Sequence, residues 1–447
     1  MRKKTSMVLA AVCVAAAAAL FGGVLGGNRA EGTVPHANPS AAATRLVGGF
    51  APPGDTEAYV AELEHRVAAN PRDAQGLMLL GLAYQQRVRE TGDPSYYPRS
   101  EEALRRSLAV APGNYLAVTG LAALAASRHR FEDARVLAKK AVRLNPRSAE
   151  AYGVLGDSLV ELGRYREAFS QFDRMASLKP ALASYSRVSY ARELLGRRRE
   201  AIVAMKLAVK AGAGTGEPAG WALVQLGNLY YDSGRLDPAE RSYREALVRF
   251  PGYVHAQAAL GRVAAAHGRY DIAARLYGRA VAKLPLPQYE ASLGDVLRLA
   301  GRDAEAAKAY AVVDATENLL RANGVRTELE TALFDLDHGR NVADALTRAR
   351  DAYRERKSIE GDDVLAWALY KNGRCGEALE HSRRALRLGT RDALKIFHRG
   401  MIELCLGRDA ESRDSLARAL ERPGRTRGRD RMGRQPIRER AELQGPS

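Results

Sequence analysis

The string Gly156-Asp157-Ser158-Leu159 is a place in this 447-residue sequence that could support chemistry, because some serine hydrolases carry the same four residues. Such chemistry needs the serine on a turn after a strand, with a histidine and an acid converging on it. Here the string lies inside a stretch with the apolar spacing of a helix, and helix packing already explains Gly156 and Leu159. We therefore expect Ser158 to be a structural residue.

Two other sets of residues could bind phosphate or metal. Gly212, Gly214 and Gly216 form a cluster after a helix, but no Lys-Ser or Lys-Thr pair follows to hold phosphate and magnesium. The cluster is better explained as a stretched loop between repeats. The eight histidines are scattered without the spacing of metal ligands. We expect no catalytic residues, no metal and no cofactor, and we predict that the protein is not an enzyme.

Cys375 and Cys405 are the next pair that could react. Three cysteines in the whole chain exclude a scaffold built from disulfides. Cys375 follows a turn at Gly373 and Cys405 precedes a turn at Gly407, so both should lie at the same edge of the molecule. Neighbouring helical hairpins stack roughly 10 Å apart, which allows a disulfide if the two Cα atoms come close enough. A disulfide and two separate thiols both remain open.

Prolines, glycines and alanines recur along the chain with a period near 34 residues, and this period predicts the secondary structure that holds the residues named above. Pro112, Pro146 and Pro180 lie 34 residues apart, as do Pro251 and Pro285. Glycines and alanines follow the same period, in the series Gly163, Gly196, Gly234, Gly268, Gly301, Gly339, Gly373 and Gly407 and the series Ala134, Ala168, Ala201, Ala239, Ala273 and Ala306. Three residue types with one period indicate an array of repeated units.

Each unit has the pattern of a helical hairpin, as residues 149–180 illustrate. Tyr152, Leu155 and Leu159 lie on one face of a first helix, and Gly163 ends that helix because glycine adopts the left-handed conformation at little cost. A second helix follows and stops at Pro180. Neither helix can bury its apolar stripe alone, so the units must stack on their neighbours.

This pattern resembles the tetratricopeptide repeat, whose first helix carries Leu-Gly-x-x-Tyr and whose second helix carries alanine, an aromatic residue and a closing proline. The matching residues are Leu226, Leu260, Leu293, Gly227, Gly261, Gly294, Tyr230, Tyr243, Tyr277 and Tyr310. The resemblance implies an all-α, right-handed superhelical solenoid of about ten hairpins over residues 55–422. The units at 325–358, 359–391 and 393–422 are degenerate but keep the glycine and alanine spacing.

The resemblance also implies a concave groove lined by the first helices. Carried over by position, the groove residues are Asp157, Tyr190, Trp221, Asn228, Tyr231, Arg262, Asp295, Trp367 and Tyr370. Exposed aromatic residues beside polar groups are the usual anchors for a bound peptide. Trp221, Asn228 and Tyr231 share one helix, and we expect this helix to contribute most to binding.

The two ends of the chain differ from the repeats. Residues 1–27 combine Arg2, Lys3 and Lys4 with an uncharged run, which is the pattern of an export signal or of a membrane tether through residues 7–27. Residues 28–54 contain four prolines and no periodic apolar face, as in a flexible linker. Residues 423–447 hold seven arginines against three acids, as in a basic disordered tail. Cleavage of the first segment and anchoring by it both remain open.

The net charge of +17 and the pI near 9.9 make RNA a partner to weigh, because pentatricopeptide repeats are also helical hairpins and bind single-stranded RNA. The Leu-Gly-x-x-Tyr pattern, the closing proline and the export signal argue against nucleic acid. We predict a non-enzymatic scaffold, secreted or anchored outside the cytoplasm, that binds a partner protein or peptide in the groove. Two alternatives are an accessory subunit of an enzyme complex that captures substrate and a sensor with a deep pocket for a small ligand. The oligomeric state stays open.

Overall fold

A computed structural model describes residues 55–212, 214 and 216–420 of the chain. These residues form helices without any strand. The predicted export segment, linker and basic tail lie outside the described residues. Within the described part, no helix combines the length and the apolar character needed to span a bilayer.

The helices run in chain order from α1 to α21. Their bounds are α1 Thr56–Ala69, α2 Ala74–Thr91, α3 Tyr96–Val110, α4 Tyr115–Ser127, α5 Phe131–Leu144, α6 Ala149–Glu161, α7 Tyr165–Leu178, α8 Leu182–Leu194, α9 Arg198–Ala211, α10 Glu217–Asp232, α11 Leu236–Arg249, α12 Val254–Ala266, α13 Tyr270–Lys283, α14 Pro287–Leu299, α15 Asp303–Ala322, α16 Glu328–Asp337, α17 Val342–Glu355, α18 Ile359–Lys371, α19 Cys375–Ala385, α20 Ala393–Cys405 and α21 Asp409–Leu420. Helix α1 is not part of a hairpin. The other twenty helices form ten hairpins, and in each hairpin the first helix has an even number and the second an odd number. The predicted all-α solenoid of about ten hairpins is confirmed.

Glycines end most of the first helices in the conformation that the sequence predicts. From Gly163 to Gly407 these turn glycines have φ between 65° and 77°. At the turn between α4 and α5 a histidine, His129, replaces the glycine and takes φ 56°. A residue other than glycine is uncommon at positive φ. The ring of His129 makes a contact that a glycine could not make, because its Nδ1 lies 2.8 Å from the carbonyl oxygen of Arg326.

Small residues let the two helices of a hairpin approach closely. The alanines of the periodic series lie on the second helices and are almost fully buried, from Ala134 at 0% to Ala306 at 2% exposed. On the first helix, a Cβ added at Gly156 would lie 2.4 Å from the ring of Phe172, and one at Gly227 would lie 2.3 Å from the ring of Tyr243. The glycine of the first helix therefore makes room for the aromatic residue of the second.

The solenoid curves through a full turn, and its later hairpins touch its earlier ones. Hydrogen bonds join residues that are 193 to 197 positions apart in the chain. On one side of this contact lie turns inside the early hairpins, and on the other side lie turns between the late hairpins. We call this contact the seam. It consists of four pairs of turns: the turn at Gly92 meets that at Leu286, His129 meets Arg326, Gly163 meets Lys357, and Gly196 meets Gly389.

Candidate functional site

The nine predicted groove residues divide into two groups in the structure. Six are half-buried on first helices in the middle of the solenoid: Tyr190, Trp221, Asn228, Tyr231, Arg262 and Asp295. Three are buried: Asp157, Trp367 and Tyr370. The accessible inner face therefore runs over α8 to α14 and does not extend to α6 or α18.

Trp367 and Tyr370 are not available to a partner, so their prediction as groove residues is wrong. Trp367 is 2% exposed, and its ring stacks on Tyr370 at 4.8 Å and on His398 at 4.1 Å between centroids. The indole Nε1 donates a hydrogen bond to Asp337 at 2.9 Å. Neighbouring first helices pack so closely here that both aromatic rings belong to the core.

Asp157 is also a structural residue and not a groove residue. It is 1% exposed and forms an ion pair with Arg187 of the next first helix, at 2.7 Å between Arg187 Nη2 and Asp157 Oδ2. Burial raises the pKa of Asp157 to about 6, although Arg187 opposes the shift. Removal of either partner would leave a buried charge without compensation, which is strongly destabilising.

The best-formed candidate site lies on α10 and α12. Trp221, Gln225 and Asn228 follow each other at helical spacing on α10, and all three are half-buried. The amide oxygen of Asn228 accepts hydrogen bonds from the Tyr243 hydroxyl at 2.9 Å and from Arg262 Nη2 at 2.7 Å. We call the surface formed by Trp221, Gln225, Asn228, Tyr231 and Arg262 the inner face of α10 and α12.

Arg262 is the central residue of this surface. Its guanidinium lies 4.1 Å from the centroid of the Tyr231 ring and also donates to the Tyr243 hydroxyl at 3.0 Å. Cation–π contact and two hydrogen bonds hold the side chain in one orientation. The surface thus offers a fixed positive group, an amide and two aromatic rings side by side.

Carboxyl groups lie next to the inner face of α10 and α12. Burial and the neighbouring carboxylates Asp232 and Asp392 raise the pKa of Glu193 to about 8. Burial also raises the pKa of Asp232, against the attraction of Arg262. Because Asp392 precedes α20, these acids come from both sides of the seam, and the charge of the inner face depends on their protonation.

Two histidines on the inner side have opposite environments. The Nδ1 atom of His255 lies 2.5 Å from the hydroxyl oxygen of Tyr289, and burial lowers the pKa of His255 to about 4. In His338, Nδ1 lies 2.6 Å from the carbonyl oxygen of Phe334 and Nε2 lies 2.9 Å from Asp295 Oδ1. Both partners of His338 are acceptors, and this arrangement favours the charged imidazole, in which both ring nitrogens donate.

The residues that could have done hydrolytic or metal chemistry have structural roles. Ser158 is fully buried, and its hydroxyl donates to the carbonyl oxygen of Val154 at 2.7 Å. Gly212 and Gly216 lie in the connection between α9 and α10, as the interpretation of a stretched loop predicts. Among the described residues, no group of three or more His, Cys, Asp or Glu side chains is arranged to hold a metal ion.

Cys375 and Cys405 form a disulfide in the structure, with their Cα atoms 6.2 Å apart. Cys375 is the first residue of α19, and Cys405 is the last residue of α20. The bond therefore ties the last hairpin of the solenoid to the one before it.

A second cleft lies at the C-terminal end of the solenoid, between α19, α20 and α21, with a volume of about 610 Å³. Its charged residues are of both signs and include Arg383, Arg399, Glu403, Glu411, Asp414 and Arg418. Part of this charge is neutralised internally, because Arg399 Nε donates to Glu403 Oε1 at 2.5 Å. The cleft has neither the aromatic residues nor the fixed amide of the inner face of α10 and α12.

The repeats match a known family in sequence. The model of the tetratricopeptide repeat family matches residues 125–184, 224–285 and 259–318. The segments that this model matches are tetratricopeptide repeats. The matches end at residue 318, yet the hairpins from α16 to α21 continue the solenoid of the tetratricopeptide repeats before them. No curated protein matches the chain in sequence.

Several solved structures resemble the chain over different lengths. The APC/C hetero-tetramer Cut9–Hcn1 is 15% identical with a TM-score of 0.45, covering 86% of this chain and 64% of its own. TTC0263, a thermophilic TPR protein of Thermus thermophilus, is 23% identical with a TM-score of 0.38, covering 43% and 98%. PilF of Pseudomonas aeruginosa is 18% identical with a TM-score of 0.36, covering 49% and 97%. This chain thus spans less than two thirds of the Cut9–Hcn1 chain.

Proposed function

We propose that this protein is a non-enzymatic scaffold outside the cytoplasm, and that it binds an extended segment of a partner protein on the inner face of α10 and α12. The tetratricopeptide repeat fold commonly serves to bind proteins, which supports the general class. The choice of surface follows from the exposure and geometry of its side chains.

The proposal rests on one observation, which is that the inner residues of α10 are more exposed than the equivalent residues of α6 and α18. On α6 and α18 the inner residues Asp157 and Trp367 are 1% and 2% exposed, because neighbouring side chains cover them. On α10, Trp221 and Asn228 stay half-exposed beside Tyr231. Large aromatic residues beside a fixed polar group are the side chains that contribute most to binding energy in protein interfaces.

An extended segment fits this surface better than a folded domain. The surface is a narrow strip along α10 with Arg262 of α12 beside it. The seam brings the opposite side of the solenoid towards this strip, since Glu193 and Asp232 lie within electrostatic range of Asp392. An extended peptide needs only such a strip and can form hydrogen bonds between its backbone and a side-chain amide such as that of Gln225.

Two features support a location outside the cytoplasm. The first is the export pattern of residues 1–27. The second is the disulfide between Cys375 and Cys405, since such bonds persist in oxidising compartments and are rare in the cytosol. Intact-mass analysis of the protein recovered from cells, without reductant, would test both features. Two free thiols at residues 375 and 405 together with an uncleaved cytosolic chain would contradict the location.

The binding surface is tested by cross-linked capture from intact cells with the full-length protein and a Trp221→Ala/Tyr231→Ala variant. Loss of two anchors of this kind should weaken capture of the specific partner by about tenfold or more. Val248→Ala is the matched control, because Val248 is 76% exposed on the outer helix α11 and its truncation removes apolar surface elsewhere. Equal recovery of the same partner by all three proteins would contradict the surface.

A further inference from the structure

The seam joins turns through several polar contacts, beside an apolar contact in which Ile359 and Leu388 pack against the core around Tyr165. Arg356 donates to Glu161 through Nε at 2.8 Å and to Glu330 through Nη1 at 2.7 Å. The Tyr165 hydroxyl accepts a hydrogen bond from the backbone N–H of Ile359 at 2.7 Å. Interfaces that are polar and formed by turns resemble the contacts between domains that separate and rejoin.

Glycine sets the distance between the two sides of the seam at two of its four points. A Cβ added at Gly163 would lie 2.2 Å from the carbonyl oxygen of Lys357, and one at Gly196 would lie 2.1 Å from the carbonyl oxygen of Gly389. Equivalent turn glycines outside the seam, such as Gly268, have open space at the same place. At these two points the seam is a backbone-to-backbone contact that leaves no room for a side chain.

The seam also lies beside the proposed binding surface. Arg198, at the start of α9, donates to the carbonyl oxygen of Arg391, and the adjacent Asp392 faces Glu193 and Asp232. A solenoid bends by small changes at every unit, and these changes add up along the hairpins between the two sides of the seam. Separation of the seam would leave most of each hairpin's core intact and would expose the apolar contacts that Ile359 and Leu388 make with the early hairpins.

We propose that the seam is a reversible closure that controls access of a polypeptide to the inner face of α10 and α12. In the closed form, which is the one in the structure, the late hairpins rest on the early ones, and the inner face is open to small molecules but not to a polypeptide. In the open form the same solenoid is wider, and the strip along α10 accepts an extended segment. This inference rests on the proposed function for the identity of the ligand, but its test needs no partner protein.

Two pairs of variants separate opening of the seam from ordinary backbone strain. Gly163→Ala/Gly196→Ala places methyl groups against backbone carbonyls across the seam. Gly268→Ala/Gly373→Ala is the matched control, because its glycines have φ of 72° and 73°, close to 74° and 70° in the seam pair, but have nothing within 4 Å of the added Cβ. Both pairs carry the same local strain, and only the first pair pushes the seam apart.

Access is read from a cysteine at position 225 on the inner face. The full chain carries Gln225→Cys with Cys13→Ser, and it is treated with a maleimide on a polyethylene glycol chain or with N-ethylmaleimide. Labelling at residue 225 is followed by peptide mass analysis, and small-angle scattering reports the dimensions of each variant. We expect the polymer reagent to react about tenfold faster in the seam pair than in the control pair. We expect N-ethylmaleimide to react equally in both.

Two results would overturn the inference. One is a folded seam pair with unchanged scattering dimensions, which would mean that the seam does not separate. The other is an expanded seam pair in which the polymer reagent reacts no faster than in the control. If circular dichroism indicates that the seam pair does not fold, Tyr165→Phe serves instead, because it removes only the hydroxyl that binds Ile359 N–H. An increase of about threefold in the polymer reaction is then expected, and no increase overturns the inference.

Discussion

At the scale of single residues, polar groups on the inner side are satisfied by the neighbouring first helix. Asp157 pairs with Arg187, Asn228 with Arg262, and Asp363 contacts His398 at 3.1 Å. The sequence predicts which positions face inward, because these positions recur with the period of the repeat. The pairing itself is invisible in the sequence, since it depends on how far each unit rotates relative to the next.

The inner histidines offer a prediction about titration. Burial alone would lower the pKa of His338, but its hydrogen bonds to Asp295 and Phe334 and the negative charges of Asp295 and Asp337 together outweigh burial, so the pKa of His338 is raised. The pKa of His255 is lowered to about 4 by burial. We expect hydrogen–deuterium exchange of the imidazole C2 protons, measured by mass spectrometry against pH, to place His338 above 6.5 and His255 well below it.

The sign of the contribution to stability follows from these shifts. A histidine with a raised pKa stabilises the folded state fully at low pH, and the contribution is lost as pH rises through the pKa of the folded state. The difference in melting temperature between wild type and His338→Gln should therefore shrink as the pH rises above 6.5, the ordinary pKa of histidine. A difference that grows with pH would contradict the charged imidazole.

At the scale of helices, the glycine and alanine positions were predictable because each has one local task. Gly227 admits the ring of Tyr243, and Gly163 makes a left-handed turn, and both tasks are set within one hairpin. The burial of Trp367 could not be predicted in the same way. Its position is equivalent to Asp157 and Asn228 in other units. It is buried because Tyr370 of the same helix and His398 of the next first helix stack on its ring.

Two glycines inside helices test this account of helix packing. In Gly227→Ala the new methyl group would meet the Tyr243 ring, so we expect destabilisation by about 1–3 kcal/mol from overpacking. Gly278 on α13 has nothing within 4 Å of an added Cβ, so Gly278→Ala should stabilise by about 1 kcal/mol through helix propensity. Urea unfolding of both variants measures the two effects. Destabilisation by both to the same extent would contradict the packing role of Gly227.

At the scale of the whole molecule, the seam joins residues about 194 positions apart, and no local pattern in the sequence encodes it. The sequence nevertheless differs from the regular repeats at the turns that form the seam. Three of the four late turns at the seam lack the proline of the regular repeats, at Arg326, Lys357 and Gly389. These turns belong to the units that the sequence marks as degenerate. Their departure from the pattern has a physical reason, because they contact a second set of turns as well as their neighbours.

Charge is distributed unevenly over the whole molecule. The chain carries a net +17, yet the groups around the inner side of the seam include Glu193, Asp232, Asp392 and Glu360 beside Lys395. Overall charge therefore says little about the ligand of the inner face. The location of the partner on the surface must be measured directly.

The most direct measurement is photo-cross-linking in intact cells from a photoreactive residue placed at position 225 on the inner face or at position 248 on the outer helix α11. If an extended segment binds along α10, position 225 should cross-link one partner, and the linked residues should fall in one continuous stretch of its sequence. Position 248 should not link that partner. Cross-links from position 248 alone, or linked residues scattered over a folded surface of the partner, would contradict binding on the inner face.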